Sequence, residues 1–85
     1  MNYLHYEFNL TPNDCVSVTL DKQANVRLLD SANYNNYKQG RKHRFYGGLA
    51  KQSPINLTPP HSGKWHLVID TGGNRGTVKA SVSVI

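Results

Sequence analysis

The chain has 85 residues, a formal net charge of +5 and one cysteine, Cys15. A chain this short can close one hydrophobic core but lacks the apolar surface for a second, so a single β-sandwich domain over residues 1–85 is expected. An intrachain disulfide is excluded, and no apolar run approaches the ~18 residues of a membrane helix.

The opening stretch, MNYLHYEFNL, has neither a basic start nor a continuous apolar segment of the kind that directs secretion. Together with the cysteine usage, this points to a soluble protein of the cytoplasm with no membrane partner. Lys and Arg outnumber Asp and Glu ten to five, which favours an anionic partner. Charged residues are only 18% of the chain, so no dense basic tail exists to make that argument strong.

In chain order, Leu4, Tyr6, Phe8 and Leu10 alternate with Tyr3, His5, Glu7 and Asn9, the period of a strand with one buried face. TPND follows as a turn, with Pro12 fixing φ and Asn13 and Asp14 able to bond their own backbone. Val16, Val18 and Leu20 give a second strand, DKQAN a turn, and NVRLLD a third strand. RFYGGLA offers a short strand around Gly47 and Gly48. In SPINLTPP, Ile55 and Leu57 read as inward positions, with prolines limiting the length. KWHLVID is a strong strand, with Trp65, Leu67 and Ile69 on one face and His66, Val68 and Asp70 on the other. TGGNRG is a turn, and TVKASVSVI closes the chain with Val78, Ala80, Val82 and Val84 inward.

Short strands at this spacing predict an all-β, antiparallel, jelly-roll-like sandwich of six to eight strands. Clean alternation predicts one dry and one wet face on each sheet. The expected core holds Leu4, Tyr6, Phe8, Val16, Val18, Leu28, Trp65, Leu67, Val78 and Val82.

One segment departs from this pattern. NYNNYKQGRKHRFYGG, residues 33–48, holds three tyrosines, three asparagines, three glycines and a run of positive charge. Residues 31–39 allow at most a short helical turn, capped by Asp30 or Ser31 and ended by Gly40. Asparagine and tyrosine are poor helix formers, so a long helix is not expected.

NYLHYEF, VTLDKQANVRLLD, NYNNYKQGRKHRFYGG and SPINLTPPHSGKWHLVID together resemble a small bacterial family catalogued as domain of unknown function 1883. The similarity spans nearly the whole chain. Some members are short single proteins, and others carry a TIR domain after this region. That arrangement implies an interaction or sensing module rather than a catalyst, and a stand-alone member would need a separate partner. LLD at 28–30, Asn33-Tyr34 and SGKW at 62–65 also resemble, more loosely, the jelly-roll domains appended to secreted bacterial peptidases. This second likeness implies a β-sandwich and no chemistry.

Candidate ligand-binding residues are Tyr34, Tyr37, Lys38, Arg41, Lys42, His43, Arg44 and Tyr46. Lysine and arginine would neutralise an anion, and a tyrosine could stack on a ring. The plainer alternative is a solvated loop whose tyrosines cover the end of the sandwich. Tyr34 and Tyr37 are expected to anchor the loop while Arg41, Lys42 and Arg44 face out, since few acids lie near to pair with them.

The chemical alternatives are weaker. His61 and His66 are five apart, but there is no CxxC or HExxH, so no metal site is expected and His66 reads as a surface or interface residue. GGNRG precedes a strand rather than a helix, which makes it a hairpin turn instead of a phosphate loop. No cofactor is implied. Cys15 has no motif partner and the acidic residues are scattered, so no catalytic residue is assigned.

The leading expectation is a non-catalytic module that binds a protein or an anionic ligand through residues 34–46, helped by loops around His61 and Arg75. Nucleic-acid binding through the same cluster and an enzyme of unrecognised type are the alternatives. Oligomeric state is not legible.

Overall fold

The two-residue alternation does build strands, in seven short pieces. A computed structural model describes residues 3–72 and 77–85. The strands are β1 (Tyr3–Leu10), β2 (Val16–Leu20), β3 (Ala24–Asp30), β4 (Tyr46–Ala50), β5 (Ile55–Leu57), β6 (Gly63–Asp70) and β7 (Ala80–Val84). One helix, α1 (Ser31–Lys38), lies between β3 and β4. A four-stranded sheet has the order β1-β6-β3-β4, and a three-stranded sheet the order β5-β2-β7. Every pairing is antiparallel.

The two sheets close on one apolar core. Val16, Val18, Val26, Leu28, Leu67 and Ile69 are completely buried, with Trp65 and Leu10 almost so. Leu4, Tyr6, Phe8, Ile55, Leu57, Val78 and Val82 pack against them from partly buried positions. Full burial of one such aliphatic side chain contributes about 1.5–3 kcal/mol, so this cluster dominates the stability. Trp65 donates its indole N–H to the His61 carbonyl at 3.0 Å, so its one polar atom is not orphaned. The expected core is found as a set.

Two details of the closing strand differ. β7 begins only at Ala80. Just before it, Lys79 donates its N–H to Asp21 Oδ1 and accepts from the Asp21 N–H, which fixes the end of the β2–β7 ladder. Val84 stands opposite Val16, on the inward side, yet remains 43% exposed because it ends an edge strand. The turn expected at 72–76 lies, from residue 73 on, outside the described residues, and Arg75 with it.

The larger correction concerns the wet face. Asp30 accepts the Asn33 N–H at 2.8 Å and so caps α1 at its start. At the other end, Gly40 at φ +70° lets its N–H reach the Tyr37 carbonyl and the Arg41 N–H reach that of Asn36, a Schellman closure. Apart from the exposed Ala32, the helix is polar except for Tyr34 and Tyr37, which are three apart and share a face. That face presses onto Leu29, Val68 and Tyr3 on the outer side of the four-stranded sheet. As a result β6 is buried on both faces from Trp65 to Asp70. His66, expected at the surface or an interface, is only 5% exposed, covered by the chain's own helix.

Candidate functional site

Alternation decides which side chains share the outer face beneath α1. Tyr3, His5 and Glu7 come from β1, His66, Val68 and Asp70 from β6, and Asn25, Arg27 and Leu29 from β3. The register sets Glu7 opposite His66, Arg27 opposite Val68 and Asn25 opposite Asp70. Two polar clusters form on this face.

In the first, the buried Asp70 accepts from Asn25 Nδ2 (3.0 Å), Tyr37 Oη (2.7 Å) and the Gly72 N–H (2.9 Å), and pairs with the Arg27 guanidinium. Burial works against the charged carboxylate. The three hydrogen bonds and Arg27 outweigh it, so its pKa is held below the ordinary value. Tyr37 is shifted the other way, first by burial and then by donating to Asp70. Arg27 also lies over the Tyr37 and Phe45 rings, 5.5 and 5.2 Å from their centroids. A charge-assisted network of this kind ties helix to sheet.

The second cluster pairs two histidines 61 positions apart. His5 Nε2 and His66 Nδ1 are 2.9 Å apart, and Glu7 Oε1 is 3.8 Å from His66 Nδ1. The remaining ring nitrogens meet hydroxyls: His5 Nδ1 meets Tyr34 Oη at 3.2 Å, and His66 Nε2 meets Ser31 Oγ at 3.1 Å. The Tyr34 ring stacks on both imidazoles, each 4.3 Å away. Burial, then the neighbouring His5, lowers the pKa of His66, so its contact with Glu7 is not an ion pair at neutral pH. Burial and the bond to Tyr3 push Tyr34 up to about 12. Tyr34 is thus a structural centrepiece, with its faces and hydroxyl already in use.

The loop after α1 folds back on the helix. Arg44 donates its N–H to Asn33 Oδ1 at 2.8 Å. His43 is half-buried, packed edge-on against Tyr37 at 5.3 Å and beside Phe45 at 5.6 Å. Lys38, Arg41, Lys42 and Arg44 are exposed, as are Phe45 (39%) and Tyr46 (48%). Lys38 Nζ lies 5.0 Å from the Tyr34 ring centroid. None of these four cations has an ion-pair partner among the described residues. The acids are engaged elsewhere. Asp14 accepts from the Thr11 N–H, Asp21 from the Lys79 N–H, Asp30 caps α1, Asp70 holds Arg27, and Glu7 faces Lys64.

Of the eight sequence candidates, Lys38, Arg41, Lys42, Arg44 and Tyr46 face solvent, Tyr37 and His43 are half-buried supports, and Tyr34 is buried. His61 is exposed, its ring tilted against Trp65 at 4.9 Å. Cys15 sits just before β2 in the other sheet, where its backbone exchanges two hydrogen bonds with Ile85. Among the described residues, the one grouping of three His, Cys, Asp or Glu donors is His5, Glu7 and His66, which does not include Cys15. Sequence reasoning missed this grouping. The two-residue spacing of His5 and Glu7 was visible, but only the β1–β6 register brings His66 beside them.

The match to known proteins is to a family. The model of the Domain of unknown function (DUF1883) matches residues 1–85. The chain belongs to the DUF1883 family. No curated protein and no solved structure matches it. Because DUF1883 membership names no chemistry, the functional reading comes from the site itself. Among the described residues, no helix is long and apolar enough to cross a membrane.

Proposed function

We propose that this DUF1883 domain is a non-catalytic binding module that recognises an anionic partner, a protein surface or smaller ligand, through residues 34–46. The observation that carries this reading is the set of four exposed cations, Lys38, Arg41, Lys42 and Arg44, that have no ion-pair partner among the described residues. An unneutralised cluster raises the local concentration of anions and speeds their encounter. Exposed Phe45 and Tyr46 beside it supply apolar contact area of the kind that anchors interfaces. The tyrosines and His43 beneath hold the loop, which lowers the backbone ordering cost of binding. The lone cysteine suits a module working in the bacterial cytoplasm.

An untargeted pull-down tests the reading, using wild type and the Arg41→Ala/Lys42→Ala/Arg44→Ala variant. The expected result is a partner retained by wild type, released by salt and missing from the variant. Identical capture by both would overturn the proposal. If the captured material is nucleic acid, log affinity will fall linearly with log salt, by about 0.7–0.9 per phosphate neutralised, which separates that class from a mainly apolar protein contact.

A further inference from the structure

The histidine cluster beneath α1 has the arrangement of a metal site. Its facing donor atoms, from His5, Glu7 and His66, all lie within 4.8 Å of one another. Glu7 and His66 are direct partners across the β1–β6 ladder, and His5 is two residues from Glu7 on the same face. A rigid ladder therefore fixes all three, with no loop involved.

The outer shell is also built. In a ligating imidazole the second nitrogen normally donates a hydrogen bond, which fixes the ring and its tautomer. Tyr34 Oη and Ser31 Oγ stand at those second nitrogens, and a hydroxyl can accept there. With protons at His5 Nδ1 and His66 Nε2, the lone pairs of His5 Nε2 and His66 Nδ1 face each other. Two lone pairs 2.9 Å apart need a proton or a cation between them. The Tyr34 ring lies near-parallel to both imidazoles, whose own planes differ by 16°. At metal–nitrogen bonds of about 2.0–2.1 Å, tetrahedral ligand nitrogens sit roughly 3.3 Å apart, so to hold the ion the two nitrogens part by about 0.4 Å and both rings turn to aim their lone pairs at it, off the line that joins them. Lys64 Nζ is 3.6 Å from Glu7 Oε2, which leaves Oε1 for the ion.

We propose that His5, Glu7 and His66 form a binding site for one divalent transition-metal ion, with solvent completing its coordination. Two imidazoles and one carboxylate select the class bound by nitrogen donors, such as Zn²⁺, Ni²⁺ or Cu²⁺, over Ca²⁺ or Mg²⁺, which require mainly oxygen ligands. His66 is buried, while His5 and Glu7 are exposed, so the ion enters from solvent and keeps open positions on that side. This site is separate from the cationic loop and does not rest on the binding proposal.

The test is calorimetric titration of the untagged full chain with Zn²⁺, in a Cys15→Ser background that removes the thiol as a competing ligand. One equivalent should bind, and Mg²⁺ should not compete. His5→Ala and Glu7→Gln alter exposed side chains and should retain the fold by circular dichroism; each should weaken binding at least tenfold. Ser31→Ala, which removes the hydroxyl at the second nitrogen of His66, should weaken it by about 10-fold. No Zn²⁺ binding by the parent, or binding that survives His5→Ala and is lost in His61→Ala, would overturn the site.

Discussion

Tyr37 donates its phenolic hydrogen to Asp70 across 2.7 Å, and this bond joins α1 to β6, an interior strand of the larger sheet. Removing the hydroxyl alone isolates the bond, because the ring stays to pack on Tyr3 and Arg27. Tyr37→Phe should cost about 1–2 kcal/mol, since Asp70 keeps Asn25, Gly72 and Arg27. Urea unfolding midpoints measure it. An unchanged midpoint would mean that the bond contributes nothing net.

The two clusters beneath α1 set a pH dependence with two limbs, one from each. Asp70 has a depressed pKa in the fold. Its contribution is therefore present above the carboxylate's unfolded pKa and is lost as pH falls through the lower folded value. Tyr34 is raised from 10.0 to about 12. Its contribution is complete below 10.0 and is lost as pH rises through about 12. Denaturant unfolding over a pH series should show both falls. Asp70→Asn should flatten the acid limb, and Tyr34→Phe should reduce the alkaline one. An acid limb of equal slope in Asp70→Asn would place the responsible group elsewhere.

Gly47 is required by a close approach between strands. It sits in β4 at φ +127°, and a Cβ there would lie 2.2 Å from the Val26 carbonyl oxygen. That oxygen is backbone, so the β3–β4 pairing itself must shift. Gly48 has a similar φ, +148°, but open space where its Cβ would be. Gly47→Ala should destabilise by well over about 1 kcal/mol, and by clearly more than Gly48→Ala. Thermal melts of the pair compare the clash against the φ penalty alone, and equal melting temperatures would refute the steric argument.

The sandwich was legible because its signal is local. Leu4, Tyr6 and Phe8, or Trp65, Leu67 and Ile69, declare their face by a period of two, whatever else the chain does. The second layer was not legible. The apolar face of α1 is only two tyrosines, so SANYNNYK shows no helical stripe, and nothing local says that it covers β6. His66, Val68 and Asp70 therefore read as a wet face. The tyrosine anchors were legible from chemistry, since a ring with a polar tip suits a boundary. The His5–His66 and Arg27–Asp70 pairs depend on register between distant strands, which no local pattern encodes.

The central claim is a division of labour within residues 33–48: tyrosines hold the segment down, and the cations lie at the surface, where the proposed partner would meet them. Thermal melts of two variants test it without knowledge of that partner. Arg41→Ala/Lys42→Ala/Arg44→Ala should melt close to wild type, because exposed charges contribute roughly 0–1 kcal/mol each and these have no ion pair among the described residues to lose. Tyr34→Ala removes a buried ring that bridges His5 and His66, and should cost on the order of 2–4 kcal/mol. A triple variant that unfolds while Tyr34→Ala melts like wild type would contradict the account and make the basic residues the structural ones.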